Sequence, residues 1–108
     1  MSLPERVYGK IAVRSDGAVC TVTLSVPERR NAIGPQMTNE LLWALSAAEA
    51  DADTRVVVLT GAGKAFCAGG DFSAMTSGEP SSLAHKGDYS DLLLALMRFE
   101  KPVVARVN

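Results

Sequence analysis

The sequence predicts an α/β fold, with strand–helix–strand units wound onto one sheet by right-handed crossovers. Three observations carry that expectation. VVVLT, Val56 to Thr60, is continuously apolar and rich in β-branched residues, as in a strand covered on both faces and usually in a parallel sheet. Met37, Leu41, Leu42, Leu45 and Ala48 recur at helical spacing after Pro35. A second such stripe, Leu92 to Phe99, runs into Lys101-Pro102 and a further apolar segment, Val103 to Val107.

In chain order, Ile11–Arg14 and Val19–Leu24 read as a hairpin, with Asp16-Gly17 supplying the turn's positive φ angles. Cys20, Val22 and Leu24 share one face of the second strand, and that face is the expected core. SVPERRNAIGP is a connector rich in turn-formers, and its Pro35 suits the first turn of a helix running to about Ala50. ADADTR closes that helix. Asp71 is expected to cap a short helical turn reaching Met75, and TSGEPSS is a polar link to the second helix. No internal repeat or low-complexity segment interrupts this order.

The 108 residues suffice for one modest domain. With 47% hydrophobic and 21% charged residues, the composition is that of a globular protein. A net charge of −1, with no basic block beyond Arg29-Arg30, argues against a nucleic-acid or membrane-surface role. No segment is apolar enough to span a bilayer or to serve as a signal peptide. Cys20 and Cys67 fit a reduced cytoplasmic protein better than a disulfide scaffold. The apolar strand at the C-terminus has backbone groups that need partners, which suggests a chain cut short after Asn108.

The chemistry concentrates in TGAGKAFCAGGDF, Thr60 to Phe72. A phosphate loop fails: Ala65 follows Gly63-Lys64 where Ser or Thr is required, and Val58 stands where the first glycine belongs. A dinucleotide fingerprint fails because Phe66 occupies the third glycine position. Cys67 as nucleophile needs a base, and His85, the only histidine, lies in a polar link; a free cysteine more often fills core. One histidine and two distant cysteines make no metal-ligand set. The backbone remains. Gly69 and Gly70 have no side chains to hold a ligand off, and amide N–H groups before a helix start can polarise a carbonyl oxygen. Composition leaves that reading level with a plain tight turn.

PERRNAI, VVVLTGAGKAFCAGGDF and KPVVARVN stand in the order and spacing of the crotonase superfamily, the enoyl-CoA hydratases and isomerases, and AFCAGGD is the most specific of these motifs. The resemblance runs from about Tyr8 to Asn108. It implies a crotonase-like spiral of ββα units, with residues 1–108 the N-terminal part of a single such domain. It further implies a homotrimer or dimer of trimers acting on acyl-CoA thioesters, with coenzyme A entering only as part of the substrate. By the same resemblance, Gly70 gives a backbone N–H to the thioester oxygen, the backbone around Ala68 and Gly69 holds the adenine end, and Asp71, Phe72 and Ser73 follow the acyl thioester. Arg30, beside Asn31-Ala32, and Lys64 correspond to positions near the CoA phosphates; both residues read equally well as solvated charges.

The function expected is hydration of a 2-enoyl-CoA through an oxyanion hole. The alternatives are an isomerase, another enzyme of the superfamily such as a decarboxylase or hydrolase, or an inactive CoA-binding module. Glu40, Glu49, Glu79 and Glu100 do not match the family's acid–base positions, so no general acid or base is assigned. The second oxyanion donor also belongs beyond Asn108. The SGEPSSLAHKGDYS stretch is where the acyl tail is expected to be sensed.

Overall fold

The computed structural model describes residues 8–71 and 83–108. Strand β1, Ile11–Asp16, pairs antiparallel with β2, Val19–Leu24. The turn lies one residue later than the sequence suggests: Asp16 is the last residue of β1, opposite Val19, and Gly17-Ala18 form the loop. Gly17 has φ +61° and Ala18 is not among the positive-φ residues, the pattern of a type II′ turn, which favours glycine first.

After a 3₁₀ turn at Pro27–Arg29, helix α1 spans Pro35–Ala50. Pro35 occupies its first turn, where a missing N–H leaves no intrahelical bond unmade. Its end is closed by Asp51, whose carboxylate accepts from the Thr54 hydroxyl at 2.7 Å. Lys101 Nζ donates to the terminal carbonyls of Ala48 and Asp51 at 2.8 and 2.6 Å, a favourable place for a cation. Strand β3, Val56–Gly61, helix α2, Tyr89–Arg98, and strand β4, Val103–Arg106, complete the described elements. The sheet order is β1-β2-β3-β4, with β3 parallel to both β2 and β4. This is the mixed α/β sheet expected from the alternating pattern.

The core forms where α1 packs on one face of β1 and β2, with Val57 of β3 beside them. Cys20, Val22 and Leu24 are buried together with Val57, Met37, Leu41, Leu45 and Ala48. Register explains the set: Cys20 lies beside Val57 and Val22 beside Leu59, so one pleat face presents all four to the helix.

Two expectations are corrected. VVVLT is covered unevenly: Val57 and Thr60, on opposite faces, are buried, whereas Val56, Val58 and Leu59 are only half-buried. In the α2 stripe only Leu92 is fully buried; Leu96 and Phe99 pack half-buried against the core, while Leu93 is 45% and Met97 81% exposed. Only one flank of α2 meets α1 and the sheet, so the rest of its apolar surface faces outward. The helical turn from Asp71 to Met75 and the polar link up to Ser82 lie outside the described residues.

Candidate active site

The site is built on the connector between β2 and α1. Asn31 adopts φ +57°, a left-handed conformation that asparagine tolerates better than most residues. Its fully buried amide makes three bonds: Oδ1 accepts from Val26 N at 2.8 Å, and Nδ2 donates to the carbonyls of Ala62 and Ala65 at 2.9 and 2.8 Å. One side chain thus closes the connector on itself and ties it to the loop after β3. Asn108 Nδ2 reaches the same loop, at Gly63 O, 2.7 Å away. The loop turns so tightly that a Cβ on Gly61 would lie 2.5 Å from the carbonyl oxygens of both Ala65 and Phe66.

Beyond Cys67 the loop runs beside the connector. Ala68 N donates to Arg30 O at 3.0 Å, Ile33 N to Gly69 O at 2.7 Å, and Asp71 N to Ile33 O at 2.8 Å. The last two bonds define a parallel bridge between Ile33 and Gly70. In such a bridge Ile33 bonds the residues on either side of Gly70, so the N–H of Gly70 itself points away from the connector. Gly70 is exposed, and no acceptor for its N–H is found among the described residues. Gly69 supplies the bend, with φ +112°, a conformation largely reserved to glycine. Residue 71 is anchored as well: Arg29 Nε and Nη2 fork onto the Asp71 carboxylate at 3.0 and 3.3 Å.

Behind the bridge lies an apolar cavity of about 230 Å³ between the sheet and the two helices. Val57 and Leu59 form its floor, Leu41 of α1 and Leu96 of α2 its walls, and Ile33 and Cys67 its loop end. Ile33 is therefore shared between the cavity and the bridge that orients Gly70. Of the stretch expected to sense an acyl tail, Tyr89 lines this cavity, and residues 77–82 lie outside the described ones.

The structure brings Arg30, Ala32, Ala68, Gly69, Gly70 and Asp71 together around the bridge. Arg30 reaches the loop through its backbone carbonyl, and its side chain and that of Lys64 are exposed. Phe72 and Ser73 lie outside the described residues. Cys67 is half-buried, its Sγ 3.4 Å from the Gly69 N–H, which accords with filling space under the loop. Burial, reinforced by the nearby Asp51 carboxylate, pushes the Cys20 thiol above its ordinary range. His85 stands exposed, 3.5 Å from Asp88. Glu40, fully buried, accepts from the backbone N–H groups of Gly9 and Lys10 at 2.8 and 2.7 Å, a structural use of a carboxylate. No cluster of three metal-ligating side chains occurs among the described residues. Sequence reasoning passed over Arg29 and the anchoring work of Asn31. Asparagine in a turn-rich connector was a usable signal; the pairing of Arg29 with Asp71, 42 positions away, left none.

The connector thus opens the first crossover of the mixed α/β sheet, from β2 to β3, and the glycine loop opens the second, from β3 to β4. The enoyl-CoA hydratase/isomerase family model matches residues 14–108, and the chain is a member of that family. It is 39% identical over 106 residues to the Mycobacterium tuberculosis protein called "Probable enoyl-CoA hydratase EchA14", a match covering 94% of this chain and 40% of that protein. It is 36% identical over 102 residues to the rat "Enoyl-CoA delta isomerase 2", covering 91% of this chain and 26% of that protein. The crystal structure of enoyl-CoA hydratase EchA8_6 from Mycobacterium marinum matches with a TM-score of 0.81 at 33% identity, covering 92% of this chain and 48% of that one. The chain thus spans well under two thirds of the length of these relatives. No helix among the described residues is long and apolar enough to cross a membrane.

Proposed function

We propose that the protein is an enoyl-CoA hydratase in which the Gly70 N–H donates to the thioester oxygen as that oxygen gains enolate character. The observation that carries this reading is the outward, exposed N–H of Gly70, held by the Ile33 bridge beside an apolar cavity. A donor fixed before the reaction needs no reorganisation when charge develops, and one such donor is worth about 3 kcal/mol of barrier. The interaction strengthens as the carbonyl becomes an enolate, so it favours the transition state over the substrate. The acyl tail fits the apolar cavity, and the thioester sits where the cavity meets the loop. The Ala68 N–H is engaged by Arg30 O, so contact with the adenine end falls to the Ala68 carbonyl. Arg30 and Lys64, exposed at the rim, are assigned to the CoA phosphates, and Asp71, Phe72 and Ser73 to the stretch along the acyl thioester. The working protein is assigned as a cytoplasmic homotrimer or dimer of trimers.

Similarity to a protein called an enoyl-CoA delta isomerase supports a second reading, transfer of a double bond along the same thioester. Both reactions use the same oxyanion donor and differ in the carboxylates that move protons, none of which is assigned here. Crotonyl-CoA hydration and 3-enoyl-CoA isomerisation, measured side by side on the complete protein, separate them. Hydration is the expected result. In an acyl-CoA titration of this chain, the Gly70 amide resonance is expected to shift. If it stays put while other resonances respond, the assignment fails.

A further inference from the structure

We propose that Arg29 is a positioning residue for the Gly70 donor, keeping Asp71 docked and its charge cancelled beside the oxygen that becomes negative. The inference rests on the reading of Gly70 given above. Asp71 directly follows Gly70, and its side chain is only 10% exposed, so water screens its carboxylate poorly. A full negative charge there opposes the build-up of enolate charge on a thioester oxygen held by the neighbouring amide. The neutral thioester of the ground state feels that repulsion much less.

Arg29 answers this with a two-point fork, Nε to Oδ2 at 3.0 Å and Nη2 to Oδ1 at 3.3 Å. The guanidinium starts from a fixed backbone. Arg29 N donates to Val26 O at 3.0 Å and Arg29 O accepts from Ala32 N at 3.1 Å, within the connector that Asn31 closes. Two adjacent arginines therefore divide the work on one loop: Arg30 reaches Ala68 through its backbone, and Arg29 reaches Asp71 through its side chain. Removing the guanidinium makes the surroundings of Gly70 one charge more negative and frees one restraint on the residue after it. Loss of the charge acts on the enolate far more than on the thioester.

The experiment compares two ligands on the complete protein. Acetoacetyl-CoA ionises to an enolate with its own absorbance; butyryl-CoA stays a neutral thioester. In wild type the enolate form is expected to be enriched on binding. Arg29→Met is expected to weaken enolate binding roughly tenfold, the size of one charge-assisted contact, and butyryl-CoA binding by no more than about twofold. Arg29→Lys keeps the charge without the fork and should return enolate binding to within about threefold of wild type. The neutral pair Arg29→Met with Asp71→Asn should recover it to a similar degree, about threefold, because the opposing charge is gone. Enolate binding by Arg29→Met equal to wild type would overturn the inference and leave Gly70 standing. A wild type with no preference for the enolate removes Gly70 itself, and the inference with it. If Arg29→Met does not fold, Arg29→Gln decides: enolate binding equal to wild type sinks the role assigned to Arg29.

Discussion

Two regions of the molecule are finished in opposite ways. At the C-terminal end of β3 the connector and glycine loop are knitted by backbone bonds, the Asn31 amide and the Arg29–Asp71 fork. On the outer side of α2 and β4, large apolar residues face outward: Met97 is 81% exposed, Val107 71% and Val104 50%. One region is held by several long-range polar contacts, and the other presents apolar side chains outward. The bonds at the loop fix the backbone on either side of Gly70, as the proposed donor requires of a preorganised site.

The sharpest way to break this contrast is Gly61→Ala. The new methyl would meet two backbone carbonyls at 2.5 Å and Asn31 Nδ2 at 2.9 Å, none of which is the free end of a flexible chain. A loss of about 3 kcal/mol is expected in denaturant unfolding; a loss below the error of the measurement would show that the loop gives way easily. Next is Asn31→Ala, which removes the acceptor of the buried Val26 N–H and a donor to the half-buried carbonyls of Ala62 and Ala65, and should cost about 2 kcal/mol. Asn31→Gly keeps the left-handed backbone accessible, so it should be milder by up to about 1 kcal/mol. If the two substitutions were equal, strain at residue 31 would play no part.

Gly69→Ala tests conformation alone, because a Cβ there meets nothing within 4 Å while φ stands at +112°. It should lower stability by about 1–2 kcal/mol and weaken acyl-CoA binding through a misaimed Gly70; unchanged binding would detach the Gly69 bend from the site. The Cys20 thiol, raised in the folded state, favours folding while protonated. Its contribution is complete below the ordinary thiol range and declines as pH rises from there through the folded value. In Cys20→Ala that alkaline decline in unfolding free energy should be shallower. The smallest effect belongs to Met97→Gln, which should change the stability of this chain by no more than about 0.5 kcal/mol. A larger destabilisation would mean that the outer face of α2 is covered in solution.

Much of the fold was legible because its signals are local. The period of Met37, Leu41 and Leu45, the alternation of Cys20, Val22 and Leu24, and Pro35 at a helix start each require only a few neighbouring residues. The glycine loop stood out as backbone bare of side chains, but its residues left a ligand site level with a plain tight turn, and only the resemblance gave it a role. Finer placement was not. Asp16-Gly17 marked the hairpin, yet strand pairing decided that the turn falls on Gly17-Ala18. The α2 stripe announced a helix; how much of it found cover depended on what packs there, which no periodicity records.

By itself the chain's order of residues determined an alternating α/β pattern, its core face and the glycine-rich run that follows the central strand. Those properties follow from side-chain size, φ preference and spacing along a few turns. Only the tertiary structure decided that Ile33 bridges Gly70, that Asn31 closes on Ala62 and Ala65, and that Arg29 rather than Arg30 clasps Asp71. Each of these contacts joins residues more than thirty positions apart. They exist because parallel pairing of β2 with β3 brings the two following loops side by side, and a hydrogen bond depends on that meeting rather than on the identity of either residue alone.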